Sequence, residues 1–205
     1  MIAIIDYGSG NVRSAQKAFE RLGYEAVLTS EARRIEDADG VVLPGVGSFG
    51  DCYRGLESRR LVEAIKGVIA SGRPFLGICI GLQLLLDGSE ETPDIDGLGI
   101  IPGAVRRFEA TPERKVPHMG WNQLRIVEAA CPLLKDVPQG SFCYFVHSYY
   151  AVPDECDVVA ATCEYGVEFP AVLWRDSLFA TQFHPEKSQK IGLRILRNFA
   201  RLAAG

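Results

Sequence analysis

No stretch of the chain comes near the roughly 18 consecutive apolar residues that a membrane-spanning helix requires. The opening Met1-Ile2-Ala3-Ile4-Ile5 is apolar for only five residues before Asp6 and lacks the basic start of a secretory leader. The expectation is a cytoplasmic protein with no membrane partner. Nor is there an excess of positive charge: 22 Lys and Arg face 26 Asp and Glu, for a net charge of −4. Such a chain has no field to attract a polyanion, so nucleic acid is not expected as a partner. Cysteines 52, 79, 131, 143, 156 and 163 include no CxxC pair and no zinc-type spacing, which argues against a disulfide framework or a metal centre. Most should be small core residues. Internal repeats and low-complexity tracts are also missing, which excludes solenoid and linker-rich architectures.

What is present suits one folded unit. The 205 residues are 47% hydrophobic and 23% charged, enough to bury a sizeable core. Met1 to Asp6 reads as a buried strand. Asn11 to Leu22 reads as a helix, with Ala15, Ala18, Phe19 and Leu22 on one face and Gly23 as its stop. Glu25–Leu28, Gly40–Leu43 and Pro74–Ile78 are apolar strands, and Leu61–Ala70 is a helix. This alternation predicts an α/β fold, a single doubly wound domain over residues 1–205 with a mixed, mostly parallel sheet flanked by helices. Ligands then belong at the carboxyl ends of the strands. Beyond Asp87 come shorter β-type runs: Ala104–Phe108, Gln123–Val127, Phe142–Val146, Val158–Cys163, Ala171–Trp174 and Leu178–Phe183. They are expected to add antiparallel strands to the same sheet before a final helix carrying Ile195, Phe199 and Leu202.

The sharpest chemical signal is Gly77-Ile78-Cys79-Ile80-Gly81, where a buried strand runs into a helix-compatible segment. That is a nucleophile elbow with sulfur in place of a hydroxyl. Glycines at 77 and 81 let the chain turn sharply and leave Cys79 strained and presented at the sheet mouth. First-turn N–H groups and the helix dipole there favour a thiolate. A thiolate nucleophile needs a base, and the sequence offers His118, His147 and His184. His118 falls in a Pro- and Gly-flanked stretch read as a loop, and His147 follows an apolar strand with no acid nearby. His184 is followed by Pro185, which favours extended geometry, so Glu186 should point to the same side and orient the imidazole. Leu43-Pro44-Gly45-Val46-Gly47-Ser48-Phe49-Gly50 contains G-x-G-x-x-G, but it does not open the first strand–helix–strand unit. Nor does a ribose-binding acid follow about twenty residues on. Its glycine N–H groups suit an oxyanion site, shared with the N–H of Ile80.

Gly-x-Cys-x-Gly-x-Gln, an upstream Pro-Gly-x-Gly loop and a late His-Pro-Glu together resemble the class I (triad) glutamine amidotransferases, in that family's order and over nearly the whole chain. Five blocks are similar to the branch whose members deliver ammonia to a separate (β/α)₈ cyclase subunit in histidine biosynthesis: Asp6-Tyr7-Gly8-Ser9-Gly10-Asn11, Pro44-Gly45-Val46-Gly47-Ser48-Phe49, Pro117-His118-Met119-Gly120-Trp121-Asn122, Tyr144-Phe145-Val146-His147-Ser148-Tyr149 and Gln182 to Ser188. Ile80 and Leu82 stand where other members often carry Leu and Met. The resemblance implies a flavodoxin-like fold, Cys79 as nucleophile, His184 as proton carrier and Glu186 as its orienting group. It implies an oxyanion site at Gly47 and Ile80, and Gln83, Ser148 and Tyr149 holding the amino-acid end of glutamine. No cofactor and no metal are expected. The implied partner is the barrel cyclase, as a heterodimer supplied in trans because a (β/α)₈ barrel takes about 250 residues. Asn11, Trp121 and Lys187 are the candidates for that interface and its ammonia channel. Family behaviour further implies that the Gly45–Gly50 loop rests turned away from the oxyanion until the loaded cyclase reorients it. Glutaminases serving other acceptors, a cysteine hydrolase on the same elbow and a non-catalytic module are the alternatives.

Overall fold

The computed structural model describes residues 1–8, 11–112 and 114–205. Ser9 and Gly10 of the first similar block lie outside them. In chain order the elements are β1 (Ile2–Ile5), α1 (Val12–Arg21), β2 (Ala26–Thr29), α2 (Ala32–Glu36), β3 (Gly40–Gly45), α3 (Phe49–Ser58), α4 (Val62–Ala70), β4 (Phe75–Cys79) and the single turn α5 (Ile80–Gln83). There follow β5 (Gly88–Ser89), β6 (Gly103–Arg107), β7 (His118–Gln123), β8 (Arg125–Ile126), β9 (Phe142–His147), β10 (Tyr149–Pro153), β11 (Val159–Glu164), β12 (Glu168–Arg175), β13 (Leu178–Thr181) and α6 (Gln189–Ala204).

Among the described residues the main sheet runs β2-β1-β3-β4-β13-β12-β11-β8. Strands β1 to β4 and β13 are mutually parallel; β12, β11 and β8 extend the sheet antiparallel. Every residue of β1, β3, β4 and β13 is buried, as continuous apolar runs require when helices cover both faces. Helices α1 and α6 pack together on one face, where the rings of Phe19 and Phe199 meet at 6.1 Å. Helices α2 and α4 pack together on the other. No helix among the described residues is long and apolar enough to cross a membrane.

The later half departs from expectation in two ways. Leu178–Thr181 joins the sheet parallel to β4, and the other runs do not all enter that sheet. Strands β10, β6 and β5 form a small sheet of their own, and β7 and β9 form a two-stranded one. Burial explains this: β6, β7 and β9 alternate buried and exposed positions, a pattern that suits half-solvated ribbons rather than a doubly covered sheet. His118 opens strand β7 instead of lying in a loop. Pro117 only precedes the strand, a position proline tolerates, and Gly120 absorbs a φ of +137° within it.

Candidate active site

Three adjacent parallel strands end at one point. Gly45 closing β3 is the register partner of Cys79 closing β4, and Ile78 pairs with Thr181 closing β13. The loop after β3, the elbow after β4 and the His-Pro-Glu segment after β13 are therefore neighbours by sheet geometry alone.

Cys79 has φ 55° and ψ −106°, a conformation that costs a non-glycine residue about 1–3 kcal/mol. The surrounding glycines make it possible. A Cβ on Gly81 would stand 1.9 Å from the Leu43 carbonyl oxygen, and one on Gly77 would stand 2.7 Å from the Gly81 carbonyl oxygen. Helix α5 spans only four residues, so the macrodipole inferred from the sequence is slight; the charge next to the sulfur is an imidazole.

That imidazole belongs to His184. Pro185–Lys187 is a 3₁₀ turn rather than extended chain, so the route by which Glu186 meets His184 differs from the predicted alternation. The contact nonetheless forms: Glu186 Oε1 lies 2.9 Å from His184 Nδ1, with side chains 4% and 2% exposed. A carboxylate can only accept, which places a proton on Nδ1 and turns Nε2 towards the elbow. Nε2 is buried and meets no ordinary hydrogen-bond partner among the described residues. Burial alone would depress this imidazole. Interaction with the Cys79 sulfur and with Glu186 outweighs it and raises the pKa to about 10. The turn is pinned to β9 by the His184 N–H donating to the Tyr144 carbonyl and by Ser188 Oγ donating to the His184 carbonyl.

In front of the sulfur lies a cavity of about 270 Å³. It is lined by Val46 and Gly47 from the loop after β3, by Cys79, Ile80 and Gln83 of the elbow and α5, by His147, Ser148 and Tyr149 from the end of β9 and start of β10, and by His184. Gly47 holds φ +110°, outside ordinary side-chain range. The structure thus brings Cys79, His184, Gly47, Ile80, Gln83, Ser148 and Tyr149 together around one space, with Glu186 behind His184. The amide nitrogen of Gln83 is already engaged, donating to the Tyr149 carbonyl at 3.0 Å and to Gln182 Oε1 at 3.2 Å. Its Oε1 is buried with no hydrogen-bond partner among the described residues.

Two groups at the site escaped sequence reading. Glu91 lines the cavity, and its Oε2 accepts from the Phe49 N–H at 2.7 Å, tying the Gly45–Gly50 loop to the site. Fully buried Gln182 turns Nε2 to the Cys79 sulfur at 3.8 Å. Gln182 sits two residues before His184, so its spacing was a usable signal; Glu91 comes from an irregular acidic stretch that offered none. Of the outer candidates, Trp121 and Lys187 share a neighbour. The Trp121 ring meets Tyr144 edge-on at 5.9 Å, and Lys187 Nζ stands 6.0 Å from the same ring. Trp121 is 46% exposed, which excludes a core role; Met119 and Phe142 are exposed beside it on β7 and β9. Asn11 is exposed at the N-terminus of α1, accepting from Ser14 Oγ, and makes no contact with that cluster among the described residues. The described residues contain no group of side chains able to hold a metal ion.

The class-I glutamine amidotransferase family model matches residues 3–203. The chain is 56% identical, over 98% of each chain, to a Geobacter sulfurreducens protein named imidazole glycerol phosphate synthase subunit HisH. It is 53% identical, again over 98% of each, to one of the same name from Methanothermobacter thermautotrophicus. A solved structure described as a glutamine amidotransferase superposes with a TM-score of 0.77 at 19% identity over the whole of both chains, a likeness of fold. Elbow, cavity and sheet order thus agree with full-length sequence similarity, and the chain belongs to the class-I glutamine amidotransferase family.

Proposed function

We propose that the chain is the glutaminase subunit of an imidazole glycerol phosphate synthase, releasing ammonia from glutamine for a separate (β/α)₈ cyclase subunit in histidine biosynthesis. The observation that carries this is the Cys79 sulfur, held at a positive-φ elbow in a cavity wall beside a buried His184–Glu186 pair.

The raised pKa of His184 suits it to take the Cys79 thiol proton and hold it as imidazolium. The sulfur attacks the side-chain carboxamide carbon of glutamine, and the carbonyl π pair moves to oxygen, where the N–H groups of Gly47 and Ile80 receive it. Collapse expels the amide nitrogen, which takes the imidazolium proton and leaves as ammonia, with Cys79 held as a thioester. The thiolate charge that stabilised the imidazolium is then gone, so the ring is neutral and can take a proton from water. Hydroxide adds to the thioester, sulfur leaves, and glutamate departs with the ion pair restored. Glu186 keeps Nδ1 protonated throughout. A glutamine fits the cavity with its ammonium towards Glu91 and Gln83 Oε1 and its backbone end against Ser148 and Tyr149.

Ammonia that meets bulk water is protonated and lost as a nucleophile, so the partner must cover the cavity. Val146 lines both the cavity and the strand that pairs with Met119, which makes the exposed Met119, Trp121 and Phe142 side the docking face. Lys187 borders this face beside Tyr144, Asn11 at the start of α1 is kept as a further interface candidate, and the setting is the cytoplasm. In the free chain the Gly45–Gly50 loop holds its peptide away from the oxyanion, and the cyclase with its nucleotide ligand reorients it. A glutamine-derived electrophile should label Cys79 alone, and adding the loaded cyclase should raise glutamine hydrolysis by orders of magnitude. Labelling elsewhere, or equal rates with and without the cyclase, would remove the reading.

A further inference from the structure

His118 and His147 lie outside the proposed chemistry, yet they are 3% and 5% exposed and touch one another, with His118 Nδ1 and His147 Nε2 3.0 Å apart. The direction of every proton between them follows from the end groups. His147 Nδ1 lies 2.8 Å from the Tyr149 carbonyl oxygen, which can only accept, so Nδ1 carries the hydrogen. In a neutral ring Nε2 of His147 is then an acceptor, and the donor facing it is His118 Nδ1. This leaves His118 Nε2 as an acceptor, and the Asn122 amide nitrogen stands 3.3 Å from it. Asn122 is oriented for this, since its Oδ1 accepts from the Gln123 N–H and its Nδ2 also donates to the Glu164 carbonyl. Both imidazoles must be neutral for this relay to exist, and burial drives both below the ordinary histidine range, to about 4 for His118 and about 3 for His147.

The relay runs one way and ends in the cavity. The Tyr149 carbonyl receives His147 on one side and Gln83 on the other; Gln83 also donates to Gln182, which turns its own amide nitrogen to the Cys79 sulfur. We propose that His118 and His147 are positioning residues of the glutamine site. Their fixed Nδ1–H tautomers lock the Tyr149 carbonyl, and with it the Ser148–Tyr149 wall and the Gln83 amide against which the amino-acid end of glutamine is seated. This rests on the glutaminase reading. The aromatic setting supports a held ring rather than mere filling: His118 is stacked on Phe145 at 4.9 Å and on Tyr165 at 4.1 Å, which fixes the plane of the ring, while its hydrogen bonds to His147 and Asn122 choose between the two flips of that plane.

The test has two arms. In the intact chain, ¹⁵N NMR of the imidazoles at pH 7 should show two neutral rings, each protonated at Nδ1 and bare at Nε2; an Nε2–H or a charged ring in either overturns the proposal. In the second arm, His118→Phe keeps a ring in the stack but removes the donor. For labelling of Cys79 by a glutamine-derived electrophile, the half-saturating concentration should rise about tenfold, the loss of one buried hydrogen bond, with the limiting rate changed less than about twofold. Iodoacetamide, which lacks the amino-acid end, should react as with the unaltered chain. His147→Gln, able to offer an N–H to the Tyr149 carbonyl, should stay within about threefold where His147→Leu loses about tenfold. Unchanged half-saturation in both His118→Phe and His147→Leu, or equal losses with the two reagents, overturns the positioning role. If the unaltered chain ignores the glutamine-derived reagent even with the loaded cyclase added, the glutaminase reading itself falls, and the relay's role with it.

Discussion

His184 and His147 line the same cavity, His118 touches His147, and all three are at most 5% exposed, yet one is driven towards the charged form and the others away from it. Burial disfavours imidazolium in each case. The neighbours differ: His184 meets a carboxylate and a sulfur, whereas His147 meets a carbonyl and a second imidazole, and His118 meets that imidazole and an amide. A full opposite charge reverses the effect of desolvation, and a neutral dipole does not. The work divides accordingly: a ring that holds a transferable proton next to the sulfur, and rings whose protons are fixed and serve geometry.

The hardest test removes the charge that sets His184 apart. Cys79→Ala should abolish glutamine-dependent turnover of the complex while free ammonia still supports synthesis. In the same variant the His184 pKa, followed by NMR, should drop from about 10 towards the ordinary 6.5, because sulfur supplies part of what holds it up. A value that stays high would locate the whole effect in Glu186. Next in size, His184→Ala should cost about 10²- to 10⁴-fold in glutaminase rate, the usual range for general acid–base catalysis. Glu186→Ala should cost less, since it removes orientation and leaves the ring; equal losses would erase that distinction.

Away from the histidines, Gly81→Ala should destabilise the elbow by about 1–3 kcal/mol, the usual scale of overpacking, because its Cβ falls on the Leu43 carbonyl. Denaturant midpoints measure this, and an unshifted midpoint would mean the elbow is not interlocked with β3. An effect of similar size concerns the neutral pair. Unfolded, both rings titrate near the ordinary 6.5; folded, near 4 and 3. Between those values the unfolded chain binds protons that the folded chain refuses, so stability rises with pH there and falls on acidification from about 6.5. The slope is on the order of 1 kcal/mol per pH unit for each ring. Urea midpoints at pH 7 and pH 5 should show this fall, and His118→Phe should make it shallower. A fall as steep in the variant would place its source elsewhere.

Much of the fold and of the site is legible in the sequence. The buried strands β1, β3 and β4 are continuous apolar runs, and the elbow glycines flank their cysteine at fixed spacing. Proline after His184 points to a fixed neighbour, although a 3₁₀ turn rather than an extended strand brings Glu186 to the ring. The ribbons β7 and β9 are harder. Their alternating burial is read from sequence only once one knows which side faces water, and the Pro-Gly punctuation around His118 suggests a loop. Glu91 and the two-histidine relay leave no local pattern, because each depends on residues far apart in the chain: Glu91 reaches Phe49 across 42 positions and His118 reaches His147 across 29.

By itself the amino-acid order determined the elements that need only their own periodicity and sterics: apolar strands, the sharp turn at Cys79 and the glycines without which it could not close. Folding alone decided what each buried polar group would face. That choice sets whether an imidazole is charged or neutral, because the cost of burial is common to all of them while the compensating charge comes from whichever strand ends happen to be packed alongside.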